Sequence, residues 1–119
     1  MDGILRSLLK CVRRRLKTDE ALTVEAVTHE MGFTRQYVSG RFHRSTGRLL
    51  SQFLKEKRLD KAAKLLKRGN QRVTQIARRC GFESENYFRQ QFRRRFGMSP
   101  RQFRASGNLR HLSRQTVTV

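Results

Sequence analysis

The stretch Ile76–Arg104, IARRCGFESENYFRQQFRRRFGMSPRQFR, decides the fold of this 119-residue chain. Its apolar residues fall at helical spacing, its two glycines sit at the breaks between them, and its landmarks occur twice. Gly81-Phe82 repeats Gly32-Phe33 at an offset of 49 residues. Phe88, Phe92, Gly97 and Phe103 repeat Val38, Phe42, Gly47 and Phe53 at an offset of 50, so the second copy has one extra residue after its Gly-Phe pair. A fixed internal period sets the architecture before any local signal does. Each copy has one plan: a short apolar helix, a Gly-Phe turn, a second helix ending near a glycine, and a following helix carrying an aromatic.

Working outward, local signals bound the helices, and no alternating strand pattern competes with them. Ile4, Leu5, Leu8, Leu9, Val12 and Leu16 form one stripe, predicting an opening helix over about residues 3–17. Thr23 caps a short helix with Val24, Val27 and Met31 inward, stopped by Gly32. Thr34 caps the next, which runs to Gly47. Leu49 to Arg68 reads as a long helix closed by Gly69. Val73, Ile76, Ala77 and Cys80 mark the second short helix, ended by Gly81, and Ser84 caps its successor through Phe96. Ser99-Pro100, a cap followed by proline at the first helical position, opens a last short helix with Phe103 inward. The expected fold is all-α, about seven helices, with two helix-turn-helix subdomains joined by a long linker helix. The subdomains span residues 1–48 and 70–105, the linker helix 49–69. Residues 106–119, SGNLRHLSRQTVTV, have no helical period and read as a basic, disordered tail.

Charge gives the first functional pointer. The chain carries 28 Lys+Arg against 9 Asp+Glu, a formal charge of +19. Up to Phe33 the net is only +1; from Thr34 onward it is +18, and beyond Glu85 there are eight arginines and no acid. Self-repulsion on that scale calls for a polyanion, with nucleic acid ahead of an anionic membrane surface. The Phe residues recur at turn and core positions rather than along one exposed face, which argues against the membrane. No apolar run is long enough to span a bilayer, and Asp2, Arg6 and Lys10 interrupt any signal-peptide core. Two cysteines 69 positions apart make neither a disulfide framework nor a metal cluster. Cys80 and Cys11 read as buried small hydrophobes in a reducing, cytoplasmic setting. His29, His43 and His111 lack ligand spacing, so no metal or cofactor is expected. Tyr37 and Tyr87 read as core rim. No nucleophile triad, phosphate loop or convergent carboxylate pair appears, so the chain does not read as an enzyme.

Two short helices joined by a tight glycine turn are the helix-turn-helix plan, whose second helix enters a major groove. With that plan in place, residues 76–104 resemble the signature of the AraC/XylS family of bacterial transcription regulators. The shared pattern is I-A-x-x-x-G-F, a Ser, a Y-F pair, a spaced Phe, and G-x-S/T-P-x-x-F/Y-R; Val27–Gly47 fits more loosely. The resemblance covers about residues 4–105, and the chain is similar to the small stand-alone members of the MarA/SoxS/Rob type. It implies a regulator of promoter DNA, an activator working beside RNA polymerase, bound as a monomer through both motifs and located in the cytoplasm at the nucleoid. With no effector domain visible, regulation is expected through the amount of protein. A nonspecific architectural nucleic-acid-binding protein is the alternative.

Taking Val38 and Phe42 as inward, 100° per residue turns Gln36, Gly40 and His43 outward, with Ser39 and Arg35 at the flank. About Phe88 and Phe92, the outward set is Asn86, Gln90 and Arg93, with Arg89 flanking. Asn and Gln pair bidentately with adenine and Arg with guanine, so these positions are the candidate base readers. The resemblance puts the family's base-reading positions on Gln36, Ser39 and Gly40, and on Asn86, Arg89 and Gln90. Small members commonly have a large aromatic and an arginine where this chain has Gln36 and Gly40, so the first motif offers less side chain to read with. Arg35, Arg41, Arg44, Arg94, Arg95, Arg101 and Arg104 are the phosphate candidates. The long helix reaches about 30 Å at 1.5 Å per residue. That suits two recognition helices in successive major grooves of an asymmetric site of roughly 20 bp.

Overall fold

The computed structural model describes residues 2–106; residues 107–119, most of the expected tail, lie outside the described residues. Among the described residues, seven helices follow in order: α1 Gly3–Leu16, α2 Val24–Met31, α3 Arg35–Thr46, α4 Leu50–Arg68, α5 Val73–Arg79, α6 Glu85–Phe96 and α7 Pro100–Ala105. Among the described residues there is no strand. The chain divides into two compact units, Met1–Arg58 and Leu59–Val119, and the division falls within α4.

The first unit closes over Leu8, Val12, Leu22, Val27, Val38, Phe42, Leu50 and Leu54, with Cys11 also buried. The second closes over Leu59, Ala62, Leu66, Ile76, Phe82, Phe88 and Phe92, with Cys80 buried. Thus α4 gives its first turns to one core and its last turns to the other. Phe92 anchors the second core, its ring centroid 5.6 Å from Phe88, 4.5 Å from Phe96 and 5.3 Å from Phe103. Burying one such side chain stabilises by about 1.5–3 kcal/mol, which suits a unit of this size.

The repeated sequence landmarks are repeated backbone devices. In the first unit, Gly32 N–H donates to His29 O (3.2 Å) and Phe33 N–H to Thr28 O (3.2 Å). In the second, Gly81 N–H donates to Arg78 O and Phe82 N–H to Ala77 O, both at 2.9 Å. This bond pair is the Schellman closure, and it needs the left-handed φ of 79° at Gly32 and 87° at Gly81. The next helix starts alike in both units: Thr34 Oγ1 accepts from Tyr37 N and Ser84 Oγ from Tyr87 N, each at 3.1 Å. Ser99 Oγ accepts from Gln102 N (3.1 Å) behind Pro100, starting α7.

Three details depart from the sequence reading. Helix α5 stops at Arg79, with Cys80 as its cap residue and Gly81 just beyond. Gly69 does not close α4 with a left-handed turn. Instead Arg104, reaching from α7, donates Nε–H to Leu66 O (3.1 Å) and Nη2–H to Gln71 O (2.5 Å). The orphan carbonyls of a helix end accept such a guanidinium as readily as a glycine turn. Finally, the two Gly-Phe pairs are not equivalent, for Phe33 is 44% exposed and Phe82 only 4%. Phe82 packs on the Phe88 ring at 5.1 Å; the matching position holds the smaller Val38, and Phe33 lies on Tyr37 at 5.3 Å instead.

Candidate nucleic-acid interface

Each unit holds one helix of the recognition type, α3 in the first and α6 in the second, pinned from below by two fully buried or nearly buried side chains. On α3 these are Val38 and Phe42, on α6 Phe88 and Phe92. The helical period then turns the intervening residues outward.

On α3, Gln36 is exposed, while Ser39 and Gly40 are half-buried. A β-carbon at Gly40 would meet only the Arg44 Nη1, at 3.4 Å. His43 is exposed on the same turn sequence. On α6, Asn86, Arg89, Gln90 and Arg93 are all exposed. The second unit therefore shows all four of its candidate base readers to solvent, where the first offers an exposed glutamine, a half-buried serine and a half-buried glycine. Tyr37 and Tyr87, expected at the core rim, are 41% and 44% exposed, each leaning on the phenylalanine of its own Gly-Phe turn.

The phosphate candidates divide by what already holds them. Arg44 and Arg94 are exposed and make no ion pair with any described residue. Arg101 is exposed on α7, near enough to Glu85 to help lower its carboxyl. Arg35 pairs with Glu25 across α2 and α3, both side chains more than half exposed. The others are engaged in the scaffold. Arg41 lies over the Tyr37 ring (5.7 Å) and pairs with Asp2. Asp2 in turn caps α1 through Ile4 N at 2.7 Å, so Arg41 ties α3 to the start of α1. Arg95 grips Asp60 with Nε at 2.7 Å and Nη2 at 3.0 Å, and Arg104 closes α4.

Asp2, Glu85 and Glu30 are held low, each with an arginine partner. The hydrogen bond from Arg41, then the bond from Ile4 N, holds the Asp2 carboxyl below its ordinary range. Glu85, at the first turn of α6, accepts from Thr74 Oγ1 at 2.6 Å and pairs with Arg89 one turn on, and both lower its pKa. The sequence analysis did not single out Glu85, although its i,i+4 spacing to Arg89 was the available signal for their pairing. On α2, Glu30 accepts from Arg14 and from Arg15 (3.0 Å) of α1, which takes its pKa down to about 2. Burial pushes the Cys11 thiol up, away from reactivity. No group of His, Cys, Asp and Glu among the described residues could hold a metal ion, and no described helix is long and apolar enough to cross a membrane.

A family model described as a helix-turn-helix domain matches residues 27–106. The probable transcription factor PqrA of Proteus vulgaris is 24% identical over 108 residues, covering 91% of this chain and 88% of that protein. The HTH-type transcriptional activator RhaR of Yersinia pseudotuberculosis is 44% identical over 63 residues, covering 53% of this chain and 22% of the activator. Among solved structures, the DNA-binding domain of the global transcriptional factor AdpA, in complex with a target DNA, has 33% identity and a TM-score of 0.73. The match covers 87% of this chain and 94% of that one. A transcriptional regulator of AraC type from Chromobacterium violaceum gives 27% identity and a TM-score of 0.74, covering 88% and 95%.

Proposed function

The chain belongs to the AraC/XylS family of helix-turn-helix DNA-binding regulators, and from that premise we propose how this sequence-specific regulator reads its DNA. Helix α6 is the principal reader. Asn86, Arg89, Gln90 and Arg93 address base edges in a major groove, where amide and guanidinium side chains distinguish adenine and guanine. The observation that carries this reading is the exposure of all four above a recognition helix fixed by Phe88 and Phe92. Helix α3 enters a groove with Gln36, Ser39 and Gly40 and contributes less sequence information. Arg44, Arg94 and Arg101 supply phosphate contacts, joined by Arg35 when DNA displaces Glu25. Arg41, Arg95 and Arg104 serve the scaffold.

The chain binds as a monomer, since one copy already carries two recognition helices. It acts as an activator beside RNA polymerase in the bacterial cytoplasm, at the nucleoid; the activator name of the matching RhaR segment supports that choice. Selection of bound sequences from a random duplex pool should return one asymmetric site of roughly 20 bp. On that site Gln90→Ala and Asn86→Ala should each cost about 1–3 kcal/mol while barely altering binding to a scrambled duplex. A pool that returns no preferred sequence would turn the reading into that of a nonspecific polyanion binder.

A further inference from the structure

At the start of α6, two residues after the exposed Glu83, the acid Glu85 stands ahead of a run of cations, Arg89, Arg93, Arg94 and Arg95. Glu85 is the last acid before residue 106, and its side chain is one-third exposed. Both of its carboxylate oxygens are occupied. Oε1 accepts the Thr74 hydroxyl of α5 at 2.6 Å, and Oε2 takes the Arg89 guanidinium one helical turn on. Thr74 thus fixes the carboxylate to the neighbouring helix, and the carboxylate fixes Arg89. The first unit has no such arrangement. The repeat matches Glu85 to Arg35, Thr74 to Glu25 and Arg89 to Ser39, so there the cation stands at the helix start and pairs backwards onto α2.

We propose that Glu85, held by Thr74, is a positioning residue that presents Arg89 for base reading and withholds it from indiscriminate phosphate binding. Two physical effects act together. A guanidinium already held in one arrangement gives up less side-chain freedom when it meets a base edge, which favours the directional, bidentate contact. A carboxylate beside it also opposes the approach of any phosphate, a penalty that every DNA sequence bears alike. Glu85 therefore lowers affinity for arbitrary DNA and raises the contrast between right and wrong sites. It costs the helix nothing, because an acid in the first turn is favoured by the helix dipole.

The inference rests on Arg89 reading a base, and the test separates the two. Affinities of the full chain are measured on the selected duplex and on a scrambled one, at one salt concentration, for wild type, Glu85→Gln, Thr74→Val, Arg89→Ala and the Glu85→Gln/Arg89→Ala double variant. Circular dichroism melts of each variant verify folding. Glu85→Gln should tighten binding to the scrambled duplex while the cognate-to-scrambled ratio falls by about fivefold or more, the lower end of what one base-reading side chain supplies. Thr74→Val, which keeps both charges, should lower the ratio without tightening scrambled binding. In the double variant the loss of ratio should not exceed that of Arg89→Ala alone, since Glu85 acts through Arg89. If Arg89→Ala lowers the ratio but Glu85→Gln moves both duplexes by the same factor, Glu85 is only a local charge and the proposal fails. If Arg89→Ala leaves the ratio unchanged, Arg89 reads no base, and the proposal falls together with that part of the functional reading.

Discussion

Arg104 and Arg94 look interchangeable in the sequence, but the structure gives them opposite fates, and removing each should show it. Arg104 closes α4: its Nε–H reaches the part-buried Leu66 carbonyl at 3.1 Å and its Nη2–H reaches the exposed Gln71 carbonyl at 2.5 Å. Hydrogen bonds from charged donors stabilise by about 1.5–3 kcal/mol, and the exposed one falls well below that range because water replaces it. Arg104→Ala should therefore destabilise the second unit by about 2 kcal/mol. In a unit of this size that lowers the midpoint by roughly 8–16 °C, read by thermal melting of the full chain. Arg94 is exposed with no ion pair to a described residue, so Arg94→Ala should leave the melt unchanged. On DNA the order reverses. The slope of log affinity against log salt should become shallower by about one unit for Arg94→Ala, and stay near wild type for Arg104→Ala at temperatures where that variant is folded. If Arg104→Ala melts with the wild type and loses a unit of salt slope, the guanidinium serves DNA and the helix closure is incidental.

Three further perturbations probe the scaffold and the first recognition helix. Glu30 titrates near 2 in the folded chain against an ordinary value of 4.5, so the stability it contributes is complete above 4.5 and is lost as pH falls towards 2; Glu30→Gln should flatten the fall in melting temperature across that window. Phe92→Ala removes a fully buried ring in contact with three others and should cost about 3–5 kcal/mol by chemical denaturation. Gly40→Ala puts a methyl only against the movable end of Arg44 and should stabilise the chain by up to about 1 kcal/mol. Its cognate-to-scrambled ratio should stay near wild type, and abolished cognate binding would mean that the backbone of α3 presses directly on DNA.

What the sequence made legible were the short-range devices. The caps at Thr34, Ser84 and Ser99 and the turns at Gly32 and Gly81 depend on residues within five positions, and their residue types carry that chemistry on their face. The burial of Val38, Phe42, Phe88 and Phe92 followed from their apolar type, their i,i+4 spacing and their recurrence at an offset of 50. The fates of the arginines did not follow. Arg41 finds Asp2 across 39 positions, Arg104 finds Leu66 across 38 and Arg95 finds Asp60 across 35. A long side chain chooses its partner by tertiary proximity, which spacing does not encode. The end of α4 at Arg68 was read correctly, but its closing device was not, because the Leu66 carbonyl is satisfied from α7 by Arg104 and Gly69 makes no left-handed turn. Only pairs within one helical turn, such as Glu85 with Arg89, leave a trace that a linear reading can use.

Pairing alone does not remove an arginine from DNA; what counts is what the phosphate must displace. Exposed ion pairs are worth little, so a phosphate competes with Glu25 for Arg35 almost freely, their side chains being 63% and 65% exposed. Arg95 is held more firmly. Two of its nitrogens meet Asp60, the pair is about one-third exposed, and the guanidinium lies over the Phe96 ring at 5.7 Å. Removing the two acids should separate these cases. Glu25→Gln takes away the competitor and a repelling charge together, so affinity should rise by a similar factor on cognate and scrambled duplexes. The salt slope should steepen by no more than about one unit, because Arg35 already exchanges in the wild type. Asp60→Asn should change affinity less, since the ring still holds Arg95 and a neutral amide oxygen still accepts from it. Arg35→Ala in the Glu25→Gln background should return the affinity to wild type or below. Titrations of these variants on both duplexes at two salt concentrations decide between exposure and mere pairing. An Asp60→Asn gain equal to that of Glu25→Gln would mean that exposure does not govern which arginines reach the DNA.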